Sequence, residues 1–194
     1  MDGKNLKAVL NGTLDDFEER DYLGMSAISQ CPRRLYNNMV NGRQYPSIRT
    51  ARLFHEGLLH EHDVIMRLLK KGVAVTNLGR ELIAPFDGRF RGHIDGELDG
   101  DLLEIKSVND ERFAMVMDDG PFDEHCDQVQ LYMRYGGYAR AMIVYKCRND
   151  GDIWTEEVAR DDQRGAILEE KAKGILAMLD RSEPPRCTCG HCPL

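Results

Sequence analysis

The chain has 194 residues, 42% hydrophobic and 30% charged, with a formal net charge of −7 at pH 7. That is the composition of an ordinary globular domain, and no run approaches the roughly 20 apolar residues of a membrane span, so neither a disordered chain nor a membrane partner is expected. The acidic excess argues against a surface built chiefly for phosphate, but it is unevenly spread: between Cys31 and Arg91 eleven Lys or Arg residues stand against five Asp or Glu.

In chain order, "MDGKNLKAVLNG" has no apolar stretch before a small-residue cleavage site, which predicts a cytoplasmic protein. "SAISQCPRRLYNNMVNG" predicts short helices, with Ser26 as an N-cap, Pro32 in a first turn and Gly42 as a stop. "PSIRTARLFHEGLLHEHDVIMRLLKKG" predicts one long helix beginning at Pro46 and Ser47. It carries Leu53, Leu58, Leu59, Ile65, Leu68 and Leu69 at helical spacing and ends in Lys70, Lys71 and Gly72. The short runs "VAVTN", "RELIAPF", "RFRGHIDGEL" and "DLLEIKSV" then predict a curved antiparallel meander. Helical patterning returns in "ERFAMVM" and "PFDEHCDQVQLYMRYGGY", a strand pair follows in "RAMIVYKC" and "DIWTEEVA", and "DDQRGAILEEKAKGILAMLDR" is an amphipathic helix. The order gives a mixed α/β domain with a central sheet.

Chemistry concentrates in "GHIDGELDGDLLEIKS". Residues two apart on a strand share a face, so Glu104 and Lys106 project together while Ile105 turns to the core, with Asp95 near the end of the preceding strand. Two carboxylates on adjacent strands suit a hard cation such as Mg²⁺ or Mn²⁺, and the lysine beside them can orient water or meet negative charge on a phosphate. The alternative is an Asp99–Gly100–Asp101 turn with Glu104 and Lys106 as a surface ion pair of little worth. Gln128 and Tyr132, four apart, share a helix face, and His60 on the long helix offers an imidazole to a metal; His55 and His62 read as solvated. At the end of the chain, "CTCGHC" gathers Cys187, Cys189 and Cys192. In a reducing compartment such a cluster suggests metal, and with Cys31 it makes four thiolates, which suit an iron-sulfur cluster and tetrahedral zinc alike. The three-plus-one arrangement lacks the second knuckle of a zinc ribbon. His191 is a substitute ligand, and Cys126 and Cys147 read as core.

In this order His60, Asp95, Glu104 with Lys106, and Gln128 with Tyr132 resemble the motifs of the PD-(D/E)xK nucleases of the RecB type. With "CPRRLY" near one end and the cysteine triplet at the other, the chain is similar to the iron-sulfur members of that group, which include the AddB nuclease domain and the fourth CRISPR-associated protein family. Ile94 stands where that family has proline, and the C-x-C-x-x-C triplet is tighter than its commoner spacing. The resemblance implies a RecB-like, restriction-endonuclease-like core, a mixed central sheet flanked by helices, with the terminal segments joined by a 4Fe-4S cluster on Cys31, Cys187, Cys189 and Cys192. It implies a single nuclease domain over 1–194, with a helical N-terminal segment about 13–45, a core about 46–182 and a cysteine tail 183–194. The implied activity is that of a metal-dependent DNA exonuclease acting on single strands or duplex ends, in recombination, repair or CRISPR-type DNA capture. His60, Asp95, Glu104 and the Ile105 carbonyl would hold Mg²⁺ or Mn²⁺, Lys106 would position or activate water, Gln128 would orient the lysine or the strand, and Tyr132 would contact DNA. Arg33, Arg34, Arg49 and Arg52 are candidate phosphate contacts. A homo-oligomer or a DNA-processing protein is a possible partner. The rivals are a nuclease-fold binding module without activity and a zinc-stapled protein.

Overall fold

A computed structural model describes residues 21–42 and 48–192. The first part of the expected N-terminal segment and the Pro46–Ser47 helix start lie outside them. The chain opens with β1 (Leu23–Gly24), a 3-10 turn (Met25–Ala27) and α1 (Pro32–Val40), then α2 (Ile48–Lys70). Ser26 lies inside the 3-10 turn, which Gly24 precedes, so it does not act as an N-cap. Pro32 does occupy the first turn of α1, where its missing N–H costs nothing, and Cys31 is that helix's N-cap.

β2 (Val75–Thr76), β3 (Glu81–Ile83), β4 (Phe90–His93), β5 (Gly96–Leu98) and β6 (Asp101–Val108) follow. They do not form one meander. β1, β4 and β3 make a three-stranded sheet, while β2 and β5 join β6 in a second sheet with β7 (Arg140–Cys147) and β8 (Ile153–Ala159), in the order β2-β5-β6-β7-β8. The run "RFRGHIDGEL" divides at Ile94 and Asp95, so each half pairs in a different sheet and Asp95 sits at the break.

α3 (Asp110–Asp119) and α4 (Asp123–Gly136) cross from β6 to β7, which pair in parallel from Leu102–Ala141 to Val108–Cys147; α5 (Asp162–Asp180) closes the fold. Local sequence explains the helix starts. Asn109 accepts from Arg112 N–H at 3.1 Å, and Asp161 accepts from Gln163 and Arg164 N–H at 2.9 Å each, meeting donors that a helix leaves unpaired. The five-stranded sheet is covered on both faces. Val64 and Ile65 of α2 pack on Leu103, Ile105 and Val144, while the main core joins Leu102, Ile143 and Tyr145 to Val129 of α4 and Leu168 and Ile175 of α5. Cys126 and Cys147 are buried, as expected. Among the described residues no helix is long and apolar enough to cross a membrane.

Candidate active site and cysteine centre

The β5–β6 ladder stops at Gly96–Leu103, leaving the next stretch of β6 without a strand on that side. Asp95 fills the gap: its Oδ2 accepts the Ile105 N–H at 2.6 Å. The N–H and C=O of one strand residue point the same way, so the Ile105 carbonyl opens onto the same edge. Asp99 and Gly100, with φ of 50° and 90°, form the tight turn that brings β6 back beside β5.

Glu104 and Lys106 share a face of β6 and pair at 2.6 Å. This is no surface ion pair, because the Glu104 side chain is 2% exposed and that of Lys106 22%. Gln128 of α4 reaches across to both: its Nε2 donates to Glu104 Oε1 at 2.6 Å, and its Oε1 accepts from Lys106 Nζ at 2.9 Å. Glu104 Oε2 is buried and has no partner among the described residues. A buried carboxylate oxygen is costly unless something meets it.

Electrostatics around that oxygen point to a cation. Burial, then the neighbouring Glu104 and Glu61, hold Asp95 well above the ordinary carboxylate range. Glu61 is raised by burial and by Glu104. Burial opposes the charge on Lys106, but Glu104 and Asp95 outweigh it and its pKa is raised, which keeps the ammonium protonated. Three carboxylates that repel one another around an orphaned oxygen form an oxygen-rich donor set suited to a divalent ion.

These groups line one cleft of about 830 Å³, together with Ser107, Tyr132, Arg91, His93 and Arg148. The structure thus brings together Asp95, Glu104, Ile105, Lys106, Gln128 and Tyr132 from the sequence reading. It lines the cleft with Glu61 where that reading put His60. Gly57 and Glu61 stand one turn apart on the stripe of α2 that continues into Val64 and Leu68, and a Cβ at Gly57 would lie 4.0 Å from Ser107 Oγ. His60 lies beside that stripe, its pKa lowered by burial and by Lys146 and Arg148. The signal for Glu61 was its register with Gly57 and the apolar stripe; nothing local marks Arg91 or Arg148. Tyr132 is 2% exposed, with its ring edge close over Gly92, where a Cβ would come within 2.6 Å of Tyr132 Cε1. None of Arg33, Arg34, Arg49 and Arg52 lines this cleft. Arg34, Arg49 and Arg52 are exposed, and Arg33 donates through Nη1 to the Pro185 carbonyl at 3.2 Å, tying α1 to the tail.

The cysteines meet as expected. The Sγ atoms of Cys31, Cys187, Cys189 and Cys192 lie within 4.8 Å of one another, with 4.0 Å for Cys31–Cys187, 3.6 Å for Cys187–Cys189 and 3.5 Å for Cys189–Cys192. Thr188 Oγ1 and N–H lie 3.5 and 3.4 Å from Cys31 Sγ. The Thr188 hydroxyl, helped by backbone N–H groups of Thr188, Arg34 and Arg33, lowers the Cys31 thiol to about 5. Burial and the neighbouring thiols push Cys192 up to about 12. Four thiols this close cannot all ionise without a cation among them, and their geometry is one that could hold a metal ion.

No family model matches the sequence, and no curated protein matches it. Solved structures do. An alkaline exonuclease, LHK-Exo, from Laribacter hongkongensis aligns at a TM-score of 0.67 and 20% identity, over 84% of this chain and 90% of that one. SSO0001 aligns at 0.61 and 17%, over 97% and 93%, and a phage-related exonuclease from Haemophilus somnus 129PT at 0.54 and 14%, over 78% and 80%. At these identities the likeness establishes the fold alone: the chain shares with these structures a mixed sheet flanked by helices, the architecture that its ordered motifs led us to expect.

Proposed function

We propose that this protein is a metal-dependent DNA exonuclease that hydrolyses phosphodiester bonds in single strands or at duplex ends. The observation that carries the reading is the partnerless Glu104 Oε2, buried beside Asp95 and Glu61 in a cleft that also holds Lys106. The fold shared with two exonucleases supports it. The rival of an inactive binding module expects a missing Asp, Glu or Lys at this point, and all three are present.

Asp95, Glu104 and the Ile105 carbonyl, with Glu61 in place of His60, would hold Mg²⁺ or Mn²⁺. Such a metal supplies an activated water and neutralises charge on the phosphate. Lys106, held protonated by its carboxylate neighbours, directs an N–H toward the attacking water or a phosphate oxygen. Gln128 fixes the ammonium and Glu104 in one geometry. Tyr132, buried against Gly92, braces this arrangement more than it reaches for DNA. Arg91 and Arg148 at the cleft, and the exposed Arg34, Arg49 and Arg52 beyond it, are candidate phosphate contacts for the strand.

The cysteine centre staples α1 to the tail as part of the same nuclease unit. The resemblance to iron-sulfur nucleases of the AddB and CRISPR-associated kind supports a 4Fe-4S cluster. The thiol spacing favours a second reading: with Zn–S of about 2.3 Å, tetrahedral zinc sets sulfurs about 3.8 Å apart, close to the 3.5–4.0 Å between neighbours. A cubane places an iron inside each thiolate and spreads the sulfurs wider. Iron, sulfide and zinc analysis of anaerobically purified protein separates the two. The activity is tested with end-labelled single- and double-stranded DNA and Mn²⁺; no degradation, or full activity in Asp95→Ala and Lys106→Ala, rejects the catalytic assignment.

A further inference from the structure

The catalytic cleft does not end at the carboxylates. A second cavity, of about 320 Å³, adjoins it, and Tyr22, Gly24, Ser26 and Phe54 line both. Beyond this shared neck it is lined by Leu23, by Leu35 and Met39 of α1 and by Ala27 of the 3-10 turn, together with the exposed Gln30 and Asn38. None of its described lining residues is Lys or Arg. The cations stay on the cleft side of the neck, where the Arg91 guanidinium lies over the Tyr22 ring at 5.1 Å from its centroid.

That division selects an occupant. Among the described lining residues a phosphate meets no cation in the second cavity, whereas a flat aromatic ring with polar edges fits its apolar and aromatic residues together with Gln30 and Asn38. The volume lies at the lower end of small-ligand pockets, about 300–1,000 Å³. An amide can both donate and accept, so Gln30 and Asn38 meet any base edge without demanding one sequence. A strand whose phosphate lies among Asp95, Glu104 and Lys106 would pass Arg91 with its next phosphate. The adjoining base could then turn through the neck between Tyr22 and the half-exposed ring of Phe54.

We propose that this second cavity is a subsite for one unpaired nucleobase next to the bond that is cut. The proposal rests on the nuclease reading and deepens it. A base in a duplex must leave its partner to enter, at a cost of a few kcal/mol, so the subsite makes a single-stranded nucleotide beside the scissile bond the preferred substrate.

The test walks one abasic site along a 12-nucleotide single strand. Binding of the full-length protein is followed by fluorescence anisotropy with Ca²⁺, and cleavage is followed separately with Mn²⁺. The expected result is one position at which base removal weakens binding about tenfold, the scale of a stacked base, and at which cleavage falls with it. Ser26→Trp, at an exposed residue of the neck, abolishes that position dependence. Asn38→Trp, at an exposed helix position lining the cavity, does the same should the first variant fold poorly. Cleavage that is indifferent to which base is missing overturns the subsite and leaves the nuclease reading intact. A binding dip that the Trp variants remove, in a chain that cuts nothing, keeps the subsite and overturns the nuclease. A dip that both folded Trp variants retain overturns this location for it, and a chain that neither binds nor cuts overturns both.

Discussion

Gln128 Nε2 donates to Glu104 Oε1 at 2.6 Å, the same oxygen that Lys106 meets at 2.6 Å, while the Gln128 carbonyl takes a second hydrogen bond from Lys106. One amide therefore holds an acid and a base of opposite charge in a fixed triangle and leaves Glu104 Oε2 without a partner among the described residues. Gln128→Leu should lower the single-turnover cleavage rate by about 10- to 100-fold, the usual cost of losing an outer-shell partner, with a smaller change in DNA affinity. An unaltered rate would remove Gln128 from the machinery.

The metal-free site stores carboxylate repulsion. Asp95 has a raised pKa in the folded chain, so the fold binds its proton more tightly than the unfolded chain does, and stability falls as pH climbs past the ordinary carboxylate value of about 4. Without added divalent ions the melting temperature of the parent should fall relative to that of Asp95→Asn from pH 4 toward pH 8, and Mn²⁺ should close the gap most at the alkaline end, where the carboxylates are ionised. Asp95→Asn keeps an acceptor for the Ile105 N–H but removes the charge. It should melt above the parent at pH 8 without metal and gain nothing from Mn²⁺.

The cleft contains Glu61 and not His60. Glu61→Gln should raise the Mn²⁺ concentration needed for half-maximal cleavage by about tenfold or more, and His60→Ala should raise it less. The reverse order in a Mn²⁺ titration would return the histidine to the metal.

Thr188 places two donors on Cys31 Sγ. Hydrogen bonds to a metal-bound thiolate hold the ligand in place, so Thr188→Val should speed metal loss to a chelator by about tenfold, while Thr188→Ser keeps the donor and the slow rate. Release followed by absorbance, with iron or with zinc, reads the difference; equal rates in all three proteins would mean the hydroxyl is idle.

Gly92 allows Tyr132 to lie against β4. Gly92→Ala drives a methyl into the ring edge and should destabilise the protein by about 1–3 kcal/mol, with loss of activity as Tyr132 moves. Adding Tyr132→Leu should recover much of the stability without the activity. Chemical denaturation of the single and double variants measures the coupling.

Much of this site was legible along the chain because strand and helix periods are local. The alternation of "DLLEIKSV" put Glu104 and Lys106 on one face and Ile105 on the other, and β6 spans those same eight residues. The four-residue step from Gln128 to Tyr132 put an amide and a phenol on one side of α4. The clustered thiols at the tail led us to expect a four-cysteine group with Cys31, and the four Sγ atoms do lie together.

Tertiary structure decided what periodicity leaves open. Gly57, His60 and Glu61 all fall within one turn of the face of α2 that meets the sheet, and only its rotation against Leu103 and Ile105 turns Glu61 into the cleft. The break at Asp95 is invisible in a sequence that reads as one run of strand, because it arises from β4 and β5 pairing in different sheets. The bond from Gln128 to Glu104 spans 24 residues, and the cavity beyond Ser26 brings Tyr22 to Phe54, so both depend on packing and not on local period. The sequence by itself determined which groups were available and which faced the same way; the packed fold determined which of them meet.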